Sequence, residues 1–268
     1  MIRQVFRSRL GSELSYCEAG DGPGILMIHG WTCDGSDWYQ QLPVLSRNFR
    51  VVTVDLPGHG QSSPSAAGYH TTTLSSLVAE LVDAITLDRP TLITHSLGSV
   101  IGARVAIEHS TRISGLVSIE PAYGAVISTA RPAFNLLSNL QTTKARDHLR
   151  SFVYDLDGPN TPADVRELHL SRLSSLDMRA ATEMLTLLWQ DDHQISLEPA
   201  STAYLNQLSC PLLEFYTDPL RPRWDWSKAS VPIRQRHFLA GLGHWPHQEE
   251  PTLFNSHLTD WLALIYPN

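Results

Sequence analysis

The sequence predicts an α/β fold: a mostly parallel central sheet flanked by helices and interrupted by one helical insertion. Three observations carry this. Short apolar runs of strand length alternate with amphipathic stretches through the N-terminal part of the chain, the signature of strand–helix–strand crossovers. Residues 125–205 lose those runs and keep helical spacing alone. Strand character then returns after Cys210.

The elements follow in order. Residues 10–17, 24–28 and 49–54 read as strands, apolar and β-branched between Gly, Pro and Asp turn signals. Over residues 74–87, Leu74, Leu77, Val78, Leu81, Val82 and Ile85 recur at spacings that make one helical face. A buried-type strand at 90–94, a helix at 100–108 and a strand at 116–119 come next. In the insertion, Phe134, Leu137 and Leu140, and later Leu168, Leu173, Leu176, Met184, Leu187 and Leu188, keep helical spacing with no strand among them. Strands at 211–216 and 234–239 precede a final helix opened by Thr252, with Leu253, Phe254, Leu258, Trp261, Leu262 and Ile265 as its stripe. The expected organisation is a core of residues 1–124 and 206–268 with a helical insertion at 125–205.

Composition narrows the function classes. Of 268 residues, 42% are hydrophobic and 18% charged, enough apolar surface for a sizeable core and too much for a disordered chain. With 20 Lys and Arg against 27 Asp and Glu, the net charge of −7 argues against nucleic acid or an anionic membrane as partner. No apolar run reaches the roughly 18 residues of a membrane span, and the N-terminal residues lack the layout of a signal peptide. Cys17, Cys33 and Cys210 are odd in number and widely spaced, unlike a disulfide or metal framework. The expectation is a cytoplasmic protein that takes a small-molecule substrate and needs neither metal nor cofactor.

The sharpest local signal is Thr94-His95-Ser96-Leu97-Gly98, set between a strand and a helix. A serine on such a turn exposes its hydroxyl at the sheet edge beside the positive end of a helix; a helix N-cap serine is the simpler alternative. His29-Gly30-Trp31 and Asp55-Leu56-Pro57-Gly58-His59-Gly60 each follow an earlier strand, and Gly243-His244-Trp245-Pro246 lies between the last strand and the last helix. In this order the motifs resemble those of the α/β-hydrolase fold superfamily, with Thr94 standing where the usual pattern has glycine.

The resemblance implies that Ser96 is the nucleophile and His244 its general base, and that the insertion caps the active site. A hydroxyl attacks poorly until an imidazole takes its proton, and the imidazolium then protonates the leaving group. The same pattern assigns the oxyanion hole to the backbone amides of Leu97 and Trp31. The Trp31 side chain then stands either at the pocket or in the core, and Trp189 on the last long cap helix is a candidate lining residue. His95 and His247 read as supporting polar residues.

Two carboxylates compete to orient His244. Asp218 follows the strand at 211–216, the commonest family position, but lacks the preceding glycine and suits a plain turn before Pro219. Glu120 ends the strand at 116–119, where an unpaired carboxylate is costly, and it alone keeps the family spacing. Its position is similar to that of the acid in zearalenone-type lactone hydrolases, which have Glu there, and in cofactor-free quinolone dioxygenases, which have Asp and also share His-Gly-Trp. The leading expectation is a serine hydrolase that cleaves an ester or lactone of a small, partly hydrophobic substrate. The alternatives are a cofactor-independent 2,4-dioxygenase acting on a 3-hydroxy-4-quinolone-type ring, and a non-catalytic receptor on the same fold. Serine in place of aspartate at position 96 disfavours dehalogenase and epoxide hydrolase chemistry.

Overall fold

A computed structural model describes residues 2–267. Eight strands form one sheet: β1 (Ile2–Arg7), β2 (Glu13–Ala19), β3 (Gly24–Ile28), β4 (Arg50–Val54), β5 (Thr91–His95), β6 (Gly115–Ile119), β7 (Leu212–Tyr216) and β8 (Arg234–Phe238). Their spatial order is β1-β2-β4-β3-β5-β6-β7-β8. The β1–β2 and β2–β4 pairs are antiparallel, and every later pair is parallel.

The helices are α1 (Leu42–Leu45), α2 (Thr71–Ala84), α3 (Leu97–Glu108), α4 (Ile127–Asn139), α5 (Ala145–Asp155), α6 (Ala163–Arg172), α7 (Met178–Gln190), α8 (Ala200–Leu205), α9 (Pro246–Glu249) and α10 (Pro251–Ile265). Those from α4 to α8 fall between β6 and β7 and form the inserted cap. Among the described residues, no helix is long and apolar enough to cross a membrane.

Because side chains alternate along a strand, the strands β3 to β7, buried along almost their whole length, contribute to two different apolar clusters. Ile25, Met27, Val51, Ile93, Val117, Leu213 and Phe215 pack on one face with Phe254, Leu258, Trp261 and Leu262 of α10. Leu26, Ile28, Val52, Val54, Leu92, Leu116 and Leu212 pack on the other, in the cluster that includes Leu77 and Leu81 of α2, Val100 and Ile101 of α3, and the cap leucines. The stripes read from the sequence in α2 and α10 are therefore the buried faces, except that Leu253 of the α10 stripe is 46% exposed.

The differences lie at edges and turns. β1 has no counterpart in the sequence reading, because this edge strand buries almost nothing: Ile2 is 77% and Val5 59% exposed. The strand expected from residue 10 begins at Glu13, after a turn. The helix expected over 100–108 starts at Leu97, immediately after Ser96. In α2 the helix spans Thr71–Ala84 rather than 74–87.

Strand order positions the site. β3 lies between β4 and β5, so the chain leaves β3 toward one side and later crosses to the other. At such a reversal the loops after the two strands diverge and leave a crevice at their carboxyl ends. Those loops carry His29-Gly30-Trp31 after β3 and Ser96 after β5.

Candidate active site

Ser96 occupies φ 51°, ψ −116° between β5 and α3 and makes no side-chain cap bond to that helix. A non-glycine residue there is strained, and the surroundings must fix it. Its N–H donates to Ile119 O (2.9 Å), and its carbonyl accepts from Ala122 N (3.2 Å), which clamps the turn to the end of β6. Packing makes the turn exacting: a Cβ on Gly98 would lie 2.5 Å from Ile28 O and 2.6 Å from His29 O. Ser96 takes the N-cap position of α3 without using its side chain as a cap, and it is held as a half-buried elbow that lines a cavity.

Thr94 departs from the family's glycine without opening the turn. Its hydroxyl donates to Val117 O (2.7 Å), and its methyl fills the space beside Gly102, where a Cβ would meet it at 2.5 Å. The room that glycine usually leaves in the strand is supplied here by a glycine in α3.

Ser96, Glu120 and His244 line one cavity of about 570 Å³ under the cap, together with Trp31, Trp189 and Asp218. Ala133 of α4, Phe152 of α5 and Leu185 and Leu188 of α7 are among the apolar residues of its wall. Two of the bonds that tie the cap to the loops after β3 and β8 are made by residues that line the cavity. Trp31 donates its indole N–H to Ala181 O of α7 (2.9 Å), and the His244 amide donates to Leu156 O at the end of α5 (2.9 Å). Both readings of Trp31 hold at once: it is 9% exposed, and it faces the cavity. Leu97 is different. Its side chain is buried in the core and does not line the cavity, and its amide is one of the N–H groups at a helix start that have no acceptor within the helix.

Glu120 also holds a left-handed backbone, φ 44°. One carboxylate oxygen, Oε1, accepts from the Thr217 amide (2.6 Å) and the Thr217 hydroxyl (3.1 Å). The other, Oε2, lies 2.8 Å from the Arg221 guanidinium and 3.6 Å from His244 Nδ1. Burial raises the affinity of this carboxyl for a proton, but His244, Arg221 and Thr217 outweigh it and hold Glu120 below the usual carboxylate range. Asp218 instead accepts from Leu220 N (2.8 Å), as a turn residue does. Of the two carboxylates the sequence offered, Glu120 is the one beside the imidazole. Burial of a carboxylate is not itself the sign: Glu214 in β7 is wholly buried too, but Tyr123, Tyr216, Trp224 and Arg236 satisfy it.

The supporting histidines are resolved by their partners. His95 Nε2 donates to the carbonyl of His244 (2.8 Å), which leaves Nδ1 unprotonated. Burial, then the neighbouring His244 and His247, keeps His95 neutral. Behind it, Cys33, Asp37 and His95 bring a thiol, a carboxylate and an imidazole within 4.8 Å. Burial opposes ionisation of Asp37, but Arg172 pulls it down to about 2. Burial pushes the Cys33 thiol up. Asp37 is thus committed to Arg172, and the cluster is an ion pair packed against neutral groups. Residues that sequence reasoning missed are Arg221 and Thr217, which flank the Asp218-Pro219 turn after β7.

Burial also lowers His247 to about 3 and His59 to about 4. Both folded values lie below the unfolded one, near 6.5. The unfolded chain therefore takes up protons the native state refuses, and stability is lost as pH falls from about 6.5 toward 4. We expect the unfolding free energy from urea titration to drop by ~1 kcal/mol per pH unit for each of these histidines. A flat profile from pH 7 to 5 would contradict their neutral burial.

The chain belongs to the alpha/beta hydrolase fold family, which matches residues 23–251. It is 26% identical to a pimeloyl-[acyl-carrier protein] methyl ester esterase of Vibrio atlanticus (strain LGP32), over 94% of this chain and 99% of that one. Among solved structures it is similar to an esterase from Exiguobacterium antarcticum, with 17% identity, TM-score 0.83, and coverage of 97% of this chain and 99% of that one. An N-acyl homoserine lactone degrading enzyme also superposes, with 17% identity, TM-score 0.77, and coverage of 96% and 99%. The two structural likenesses speak to the fold.

Proposed function

We propose that the protein is a serine hydrolase of small, partly hydrophobic esters or lactones, with Ser96 as nucleophile, His244 as general base and Glu120 as the acid that orients it. The observation that carries this is one cavity lined by a serine with a strained backbone and a histidine whose Nδ1 faces a buried carboxylate. Nδ1 toward Glu120 leaves Nε2 for the serine hydroxyl. That nitrogen accepts the Ser96 proton as Oγ attacks the substrate carbonyl, and returns it to the leaving alcohol. The tetrahedral oxyanion is held by the Leu97 and Trp31 amides. Water, deprotonated by the same nitrogen, then releases the acid.

The lining supports the substrate class. Phe152, Leu185, Leu188 and Trp189 offer contact to an uncharged acyl or alkyl group. The esterase relative is consistent with the same chemistry. Glu120 in place of a later Asp is the arrangement that resembles zearalenone-type lactone hydrolases, so lactones belong in the first assay. A panel of p-nitrophenyl esters and lactones should show saturable hydrolysis with preference for medium apolar acyl chains over acetyl. A folded protein that hydrolyses none of them, or that consumes oxygen with a 3-hydroxy-4-quinolone, contradicts the proposal.

A further inference from the structure

We infer that Arg221 is a positioning residue that competes with His244 for the Glu120 carboxylate and so sets the pH at which hydrolysis switches on. The inference rests on the hydrolase reading above and concerns the regulation of the same site.

The geometry is a shared acceptor. Thr217 engages Oε1 of Glu120 with two donors, so that oxygen holds the carboxylate in place. Oε2 is left to two claimants. Arg221 reaches it at 2.8 Å and His244 Nδ1 stands at 3.6 Å, beyond a normal hydrogen bond. Arg221 is itself anchored, since its other terminal nitrogen donates to Pro121 O (2.6 Å) and its guanidinium lies 5.8 Å from the Tyr216 ring centre. It also lines the cavity. The guanidinium is a fixed part of the carboxylate's surroundings.

A lone carboxylate beside a base favours the protonated imidazole, and a paired one favours it less. With Arg221 on Oε2, the imidazolium that forms during turnover meets a carboxylate whose charge is partly offset. Remove the guanidinium and the full charge of Glu120 turns to His244.

The other groups around His244 do not supply this cation. His95 from β5 and His247 from α9 are buried and neutral. Asp157, from the cap loop, is paired with Arg166 at 2.6 Å, and Glu249 of α9 accepts the Gly243 amide (2.8 Å). Asp218, across the cavity, accepts Leu220 N.

The test is the pH dependence of kcat/KM on a p-nitrophenyl ester for wild type, Arg221→Gln and Arg221→Lys. The acidic limb of Arg221→Gln should lie about half to one pH unit above that of wild type, while Arg221→Lys, which keeps the charge, should stay near wild type. Arg221→Met, which keeps an apolar stem against Tyr216, replaces the Gln variant if the latter fails to fold. A uniform loss of rate at every pH, with the limb unmoved, would mean that Arg221 only braces its loop and would overturn the inference. Phosphonate labelling of Ser96 is read in the same samples. An unmoved limb with Ser96 labelled defeats this inference alone, whereas no label in wild type defeats the hydrolase reading beneath it.

Discussion

Ser96→Ala loses a factor of about 10³ to 10⁶ in kcat/KM on any ester the wild type turns over. Its KM and its unfolding midpoint change little. The size of the effect follows from the site's division of labour. On the proposed mechanism, no acyl-enzyme forms without the hydroxyl, and the Leu97 and Trp31 amides are left to assist a slow direct attack by water. Stability is spared because the turn is held by backbone bonds to Ile119 and Ala122, neither of which uses the Ser96 side chain. The two activities must be compared under single-turnover conditions, so that traces of wild type do not set the floor. Retention of more than a tenth of the wild-type rate would remove Ser96 from the chemistry.

Glu120→Gln and Asp218→Asn should separate just as sharply. The Gln side chain is nearly the same shape, but it carries no charge to stabilise the imidazolium and leaves Arg221 without its counterion. A loss of about 10² to 10⁴ in kcat is expected. Asp218→Asn keeps an acceptor for Leu220 N, and its rate should remain within about twofold of wild type. The reverse ranking would transfer the acid's role to the loop after β7. Circular dichroism and urea unfolding of the Glu120 variant guard against misfolding, since the residue sits at a strained φ of 44° and anchors Thr217 and Arg221.

The parts of the fold that could be read from the chain are those where burial writes a period. β3 coincides with the predicted run over 24–28, and the stripes of α2 and, Leu253 apart, α10 are the faces buried in the core. β1 was illegible for the same reason in reverse, because an edge strand with Ile2 and Val5 in solvent leaves no alternation to find. At the site, Ser96, His244 and Glu120 could be named because turn motifs and an apolar strand end mark their positions. Arg221 and Thr217 could not, since their importance is a matter of which oxygen of Glu120 each one reaches. Thr94 was visible as a departure, but its compensation by Gly102 is tertiary: two residues on neighbouring elements exchange a methyl for a hydrogen.

The hydrolase reading stands most directly on covalent capture at a single atom. Wild-type protein treated with a fluorophosphonate, then analysed by intact mass and peptide mapping, should carry one adduct, on Ser96, with ester turnover falling in step with labelling. The Ser96→Ala protein should carry none. Full ester turnover in a wild-type sample that remains unlabelled, or an adduct on another serine whose loss abolishes activity, would contradict the account.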